Sequence, residues 1–448
     1  LDWANSAYSA NIRETNGFVG LKAEFTFNSL VNVNAASPTV TSVTSTKADG
    51  TYGQGEVIPI NVVFSKVVNV TGTPKLILET GSLDSVADYS SGTGTNTLTF
   101  NYTVTEGDIS SDLDCANLNP LYFPETTVGS PAYIDDSAGA PRDVVVVGNY
   151  AYVADSGSGL RIVNVSDPTN PVNTAFKDTG AGSNMALALT VVGNYAYVCD
   201  GNSGLAIIDI SDPINPGEPV FVNTNGIASD VAIVGNYAYV ADGVSGLAII
   251  DISDPTSPGN PIYVDTTGTA NGVTVVGNYA YVPDGVTGLA IIDISSPTSP
   301  GTPIYKTLDN GSYFARGGIS VYNNYVYINV DYTGTSWSGL AIIDISNPNT
   351  PGDPVFFETP GSSLNIHVVG NFAYVADDSS GMTVIDVKNP TAPSLKNSYD
   401  TTGNSYGIVV NGTYAYVADF ESGLAIFPLS ITLIQDAAGN DAILTLPS

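Results

Sequence analysis

The stretch GNYAYVADGVSGLAIIDISDP, from Gly235 to Pro255, decides the fold of this chain. Tyr237 to Ala241 alternates around aromatic residues, and Leu247 to Ile252 is a nearly continuous aliphatic strand. The Gly235-Asn236 pair signals a hairpin, since Gly and Asn tolerate the positive φ that a tight turn demands. Upstream, Asp230 to Val234 reads as a first strand. Downstream, past a Pro- and Gly-rich turn, Pro261 to Val264 reads as a fourth. Strand, hairpin, strand, loop, strand, turn, strand is the grammar of one propeller blade.

The unit occurs seven times. It begins at Gly148, Gly193, Gly235 and Gly277, returns in a longer divergent copy over Tyr325 to Pro348, and begins again at Gly370 and Gly412. Its second aromatic falls at Tyr152, Tyr197, Tyr239, Tyr281, Tyr327, Tyr374 and Tyr416, a spacing in the forties with no helical period. The seventh copy stops at Leu424 to Leu429, without a fourth strand. Pro120-Leu121-Tyr122-Phe123-Pro124-Glu125-Thr126-Thr127, upstream of the first copy, looks like Pro261-Ile262-Tyr263-Val264-Asp265-Thr266-Thr267 and is expected to complete the last blade and remove the open edge. The apolar stretch followed by Asp and a DP or NP turn resembles the LVIVD-repeat family of bacterial propellers. That resemblance implies a propeller at a cell surface, with no common enzymatic activity to carry over.

Residues 37–118 follow other habits. PTVTSVTST, GEVIPINVVFSKVVNV, PKLILET, VADYSSG and TNTLTFNYTV are alternating strands separated by turn residues, as in a β-sandwich. The segment resembles bacterial immunoglobulin-like or cadherin-like surface repeats, in which a GDxSSDLD phrase is followed closely by a strand and a DAAGNDA turn. Here Gly107 to Asp114 precedes the propeller, while Asp436 to Ala442 follows it. The expected fold is therefore all-β: a seven-bladed β-propeller over residues 119–429 inserted into an Ig-like β-sandwich made of 37–118 and 430–448, with an N-terminal strand extension over 1–36.

Composition bounds the function. Of 448 residues, 43 are Asp or Glu and 12 are Lys or Arg, a net charge of −31, which leaves no basic footprint for nucleic acid and disfavours anionic lipid. No run of eighteen apolar residues is present, so membrane insertion is not expected. Two cysteines, Cys115 and Cys199, do not make a disulfide framework. An acidic chain rich in Asn, Thr, Ser and Gly, beginning at Leu1, reads as secreted, extracellular or attached to a cell surface.

Catalytic groups are hard to assemble, and no enzyme is expected. His367 is the only histidine and stands alone in a strand; Cys199 takes the place of Ala154, Ala241 and Ala376 and reads as a small packed side chain. Asp155, Asp200, Asp242, Asp284, Asp377 and Asp419 recur in six of seven units, which suits a turn-capping role better than an asymmetric site. Departures from the repeat are more informative. The fifth unit carries a long insertion with Tyr332 and Trp337, candidates for a binding loop because Tyr and Trp make low-entropy anchors.

Asp108, Asp112, Asp114, Asp436, Asn440 and Asp441 would converge in the split-domain arrangement, and their hard oxygen ligands suit Ca²⁺. In the N-terminal extension Leu21, Ala23, Phe25 and Phe27 alternate with polar residues as one strand. That strand either packs on its own chain's sandwich or completes a sheet in the next copy, building a homopolymer. The resulting expectation is a self-assembling subunit of a surface filament or sheath. The alternative is an adhesin or carbohydrate-binding module whose propeller face meets glycans or other surface proteins.

Overall fold

The computed structural model describes residues 38–47, 52–80, 85–105, 114–115, 121–122, 127–134, 139–179, 185–334, 337–430 and 433–435. Its outstanding feature is seven antiparallel sheets, one per sequence repeat, six of four strands and the seventh of five. The third runs Asp230–Val234, Tyr237–Ala241, Leu247–Asp251 and Ile262–Val264, paired in that order. The first strands of successive blades touch one another all the way round, and blade 7 meets blade 1 through Ser405–Asn411 and Pro141–Val147. These strands therefore line a central channel. Fourth strands lie on the rim, where Val172, Phe176, Phe221 and Leu395 are exposed.

The repeat's chemistry explains the blade. Val147 pairs with Tyr150 across Gly148-Asn149, a two-residue hairpin, and Gly148, Gly193, Gly235, Gly277, Gly370 and Gly412 all take φ between 57° and 60°. Only the glycine of each Gly-Asn pair takes positive φ, the pattern of a II′ turn rather than I′. Each turn's second residue offers its carbonyl to the residue just past the third strand, as Asn236 does to the Ile252 N–H at 2.8 Å. The second aromatics, from Tyr152 to Tyr416, are buried between blades, where the aliphatic third strands pack against them.

Blade 7 is closed by the N-terminal side of the ring, though its fourth strand lies downstream of the expected Pro120 to Thr127 segment, of which only Thr127 reaches the blade among the described residues. Ala132–Ile134 pairs with Leu424 to Ile426 as the fourth strand, and Thr127–Val128 pairs with Leu429 and Ser430 beyond it. Leu121–Tyr122 instead pairs with Lys75 and Leu76 in the preceding sheet. The reason is spacing. Pro131-Ala132-Tyr133-Ile134-Asp135 stands about as far ahead of Gly148 as Pro261-Ile262-Tyr263-Val264-Asp265 stands ahead of Gly277, whereas Leu121 lies eleven residues too early. Blade 7's fourth strand thus begins at 132, and among the described residues no strand of the propeller precedes Thr127.

The second region forms one hydrogen-bonded path of strands: β1 (Val40–Ser45), β2 (Val57–Thr71), β3 (Lys75–Glu79), β4 (Ser85–Ser91), β5 (Thr95–Thr103), β6 (Asp114–Cys115) and β7 (Leu121–Tyr122), ordered β1-β2-β5-β4-β3 with β6 and β7 both on β3. A two-sheet sandwich was expected; among the described residues the strands stay in a single path. The path still buries one apolar face, because the alternation Ile58, Ile60, Val62, Phe64 turns those side chains toward Leu76, Leu98 and Phe100. After the propeller the chain returns here, with Leu433–Gln435 pairing with Asn69 to Thr71 on β2.

Candidate functional site

The inner strands begin on the face that also carries the connectors between blades and the turns between second and third strands. Under that face lie the recurrent aspartates, all buried. Each fastens a connector to the blade it enters: Asp242 Oδ2 accepts the Gly226 N–H at 2.8 Å, Asp377 Oδ2 that of Gly361 at 2.9 Å, and Asp284 accepts both the Gly268 N–H at 3.0 Å and the Thr266 hydroxyl at 2.6 Å. Burial pushes the Asp284 and Asp419 carboxyls up to about 6, against the hydrogen bonds that favour the charge.

One layer inward the repeat ceases to repeat. Five residues ahead of each hairpin stand Asp143, Ala188, Asp230, Gly272, Gly318, Asn365 and Gly407. Asp143 Oδ2 accepts the Leu189 N–H of the next blade at 3.0 Å, and its Oδ1 faces the Asn365 amide at 3.4 Å. Asp230 Oδ2 accepts the Val273 N–H of blade 4 at 2.8 Å. Desolvation lifts the Asp143 carboxyl to about 7 and that of Asp230 to about 6, with the charge of Asp230 adding to the rise at Asp143. Deeper along the strands, Ser320 accepts the Val368 N–H at 3.1 Å and His367 that of Val410 at 2.8 Å. These side chains staple blade to blade around the channel. This pair of half-buried carboxylates lining the channel has no counterpart among the repeated acids that the sequence marks.

The mouth is more varied still. Six residues ahead of the hairpin come Arg142, Leu187, Ser229, Asn271, Leu364 and Tyr406, and a bulge in blade 5 puts Arg316 and Gly317 there. Between the connectors entering blades 3 and 4 opens a cavity of about 370 Å³, walled by Asn202, Asn225, Ile227, Ser229, Val244 and Asn271. All of these are uncharged.

The anticipated binding residues of blade 5 are present but engaged. The second strand extends through Tyr332, so Asn329 to Tyr332 are strand and the loop proper begins at Thr333. The Tyr332 N–H bonds the Trp337 carbonyl at 2.9 Å. Tyr332 and Trp337 both meet Tyr313 edge-on, at 5.0 and 5.1 Å between ring centres, and Tyr313 stacks on Phe356 at 4.0 Å. The four rings form a half-buried cluster along the blade, a packing role that leaves only part of each ring for a ligand. Asn329, in the position of Ala154 or Ala241, is fully buried beside Gly318.

Asp108, Asp112, Asp436, Asn440 and Asp441 lie outside the described residues, as do Leu21, Ala23, Phe25 and Phe27. The Asp114 backbone pairs with Glu79. Among the described residues no group of three or more His, Cys, Asp or Glu is arranged to hold a metal. Cys199 is a buried free thiol whose pKa burial drives well upward.

The LVIVD-repeat model matches residues 138–176, 183–224, 225–266, 267–303, 316–353, 360–401 and 402–430, more than half of the chain. The chain belongs to the LVIVD-repeat family. The first match begins at residue 138, after the closing strand rather than at Pro120. No curated protein matches the sequence.

Solved propellers resemble this LVIVD-repeat protein in fold. They include virginiamycin B lyase from Staphylococcus aureus at 11% identity and TM-score 0.52, and the Cps50 (Swd1) β-propeller domain of Myceliophteria thermophila at 10% and 0.52. Each alignment covers 68% of this chain and 99% of the other. The WD40 β-propeller domain of Doa1 aligns at 11% identity and TM-score 0.51, over 68% and 97%. At such identity the likeness is one of fold alone. No helix among the described residues is long and apolar enough to cross a membrane.

Proposed function

We propose that this LVIVD-repeat protein is a non-enzymatic extracellular structural subunit that assembles by strand addition onto β1. One observation carries the reading: among the described residues β1 ends the strand path, with β2 on one side only. Its sequence, VTSVTS, holds neither Pro nor charge, so it lacks the devices that usually blunt an exposed edge. The alternating segment Leu21, Ala23, Phe25 and Phe27 of a second copy is the strand that would lie there, on a sheet of immunoglobulin-like or cadherin-like kind into which the propeller is inserted. The return of Leu433–Gln435 to β2 supports that insertion. Calcium at Asp108, Asp112, Asp114, Asp436, Asn440 and Asp441 belongs to the same proposal, as a stiffener of the sheet end.

Negative-stain electron microscopy of the full chain, with and without calcium, tests this. Regular fibres are expected, lost when residues 1–36 are removed and shortened by excess GLKAEFTF peptide, the sequence of Gly20 to Phe27. Monodisperse particles under all conditions would return the strand to its own chain and end the proposal.

A second reading, glycan binding by the propeller face, is favoured by the channel mouth. The buried tyrosines stay constant from blade to blade while the residues at the mouth run from Arg142 through Ser229 and Asn271 to Tyr406. A constant frame with one varied face is the arrangement by which repeat proteins present binding surfaces. A glycan array with the full chain tests it.

A further inference from the structure

Three departures from the repeat meet at the seam between blades 7 and 1. Phe420 stands where blades 2, 3 and 4 have Gly201, Gly243 and Gly285, whose φ of 54° to 58° belongs to a tight turn that Phe does not favour. Blade 7 accordingly turns differently, its Phe420 N–H bonding the Asn404 carbonyl at 2.9 Å. Tyr406 and Arg142 occupy the mouth position of their blades. The Arg142 guanidinium lies 4.6 Å from the Tyr406 ring centre and 5.0 Å from that of Phe420, and the two rings are 5.2 Å apart.

We propose that this seam binds a carboxylate-bearing saccharide, with Arg142 as its anchor. The choice of a saccharide rests on the second reading above; the site itself rests on the packing of Arg142 and its lack of an ion pair among the described residues. In a chain with 43 acidic residues, cations find carboxylates easily, and Lys47, Lys75, Lys177, Lys306, Arg316 and Lys396 each pair with one. Arg161 is held by Asn173 and the Ile134 carbonyl. Arg142 instead meets two aromatic rings, forms no ion pair among the described residues, and its buried Nε has no hydrogen-bond partner.

The nearby acids are already committed. Glu421 accepts the Asn404 N–H at 2.8 Å and its amide at 3.3 Å, while Asp143 faces Leu189 and Asn365. A guanidinium packed against rings with its Nε buried still presents its two terminal Nη groups, and that pair is the fork that matches a carboxylate. The connector and turn that carry the two partly exposed rings also carry a hydroxyl pair, Thr402 and Ser422 at 3.1 Å, and the Asn404 amide, groups suited to sugar hydroxyls, as the rings are to a pyranose face. The negative Glu421 beside the site disfavours polyanions such as phosphate or sulfate esters. A single carboxylate carried by a neutral polyol fits best.

The test is calorimetric titration of the full chain with digalacturonate, its dimethyl ester, lactose and a diglutamate peptide, repeated with Arg142→Gln and Arg142→Lys. Digalacturonate should bind at least about tenfold more tightly than its ester, and Arg142→Gln should remove that preference, since a bidentate ion pair is lost. Arg142→Lys should recover only part of it, because an ammonium lacks the fork. The ester comparison uses unaltered protein, so a folding defect in either variant leaves the proposal testable. Equal binding of acid and ester would overturn it, as would preference for diglutamate or full preference retained in Arg142→Gln. Binding of lactose without any acid preference would remove this site and leave the glycan reading standing; no saccharide binding at all would remove both.

Discussion

The Nδ1 of His367, in the inner strand of blade 6, accepts the backbone N–H of Val410 in the inner strand of blade 7 at 2.8 Å. The only histidine is thereby fixed as a neutral acceptor between two blades, and burial lowers its pKa to about 4. A base waiting for substrate would not be placed so.

That depression fixes a sign. In the unfolded chain the imidazole titrates near its ordinary value of about 6.5, so the unfolded state takes up the proton first as pH falls. The stability His367 confers is complete above about 6.5 and is lost progressively toward 4, by at most about 3 kcal/mol at 1.36 kcal/mol per pKa unit. His367→Ala should lower stability at pH 7 by about 1–3 kcal/mol, through the lost hydrogen bond and the space left behind, and should flatten the dependence between pH 6.5 and 4. Denaturant titrations across that range check it; an unchanged slope would sink the assignment.

Asp143 has the opposite sign. Its folded pKa, about 7, lies above the unfolded value, chiefly through desolvation and then through the charge of Asp230, so ionisation at high pH opposes folding. The contribution of Asp143 should therefore rise as pH falls from about 7 toward 4, opposite in sign to that of His367, and comparison with the variant isolates it. Asp143→Asn keeps an oxygen for the Leu189 N–H and should stabilise the propeller at pH 8, by no more than about 4 kcal/mol, with the gain gone by pH 4. Equal destabilisation at both pH values would show that the packing of Asp143, not its charge, governs the channel.

How much of this was legible depends on what repeats. Seven copies in register fixed the blade count and strand order, because Tyr237 to Ala241 and Leu247 to Asp251 recur with the same neighbours. Asp143 and Asp230 were invisible for the converse reason: each is unique, and their proximity exists only once seven inner strands close a ring. Tyr332 and Trp337 were marked correctly as a departure, yet apolar area led them to pack on Tyr313 and Phe356. The closing strand was misplaced because Leu121-Tyr122-Phe123 matched by residue type, whereas hairpin spacing favours Ala132-Tyr133-Ile134.

The closing strand can be tested by its own geometry. Ile134 pairs with Leu424 and packs against the cluster of Val144, Val153 and Ile426 at the blade 7 to blade 1 seam. Ile134→Asp should weaken the ring by about 2–4 kcal/mol, since it puts a charge where an aliphatic side chain was partly buried, and should expose blade 7 to proteolysis first. Leu121→Pro, in β7 on the other sheet, should leave propeller protection unchanged. If Leu121→Pro alone opened blade 7, the closing assignment would be reversed.

Gly407 shows how closely the inner strands approach. A Cβ built there would sit 2.6 Å from the Asp143 Cα and 2.7 Å from the Arg142 carbonyl oxygen, both backbone-fixed atoms of the neighbouring blade. No rotamer relieves such a contact, so Gly407→Ala must push blade 7 away from blade 1 and should cost about 1–3 kcal/mol, an overpacking penalty. Gly148→Ala is the contrasting control: its φ of 57° strains an alanine, but nothing lies within 4 Å, so the cost should be about 1 kcal/mol and local to the hairpin. Hydrogen exchange separates the two, with Gly407→Ala speeding exchange in the inner strands of both blades 7 and 1. Because the same shift would move Arg142 relative to Tyr406 and Phe420, Gly407→Ala should also weaken digalacturonate binding, while Gly148→Ala should not.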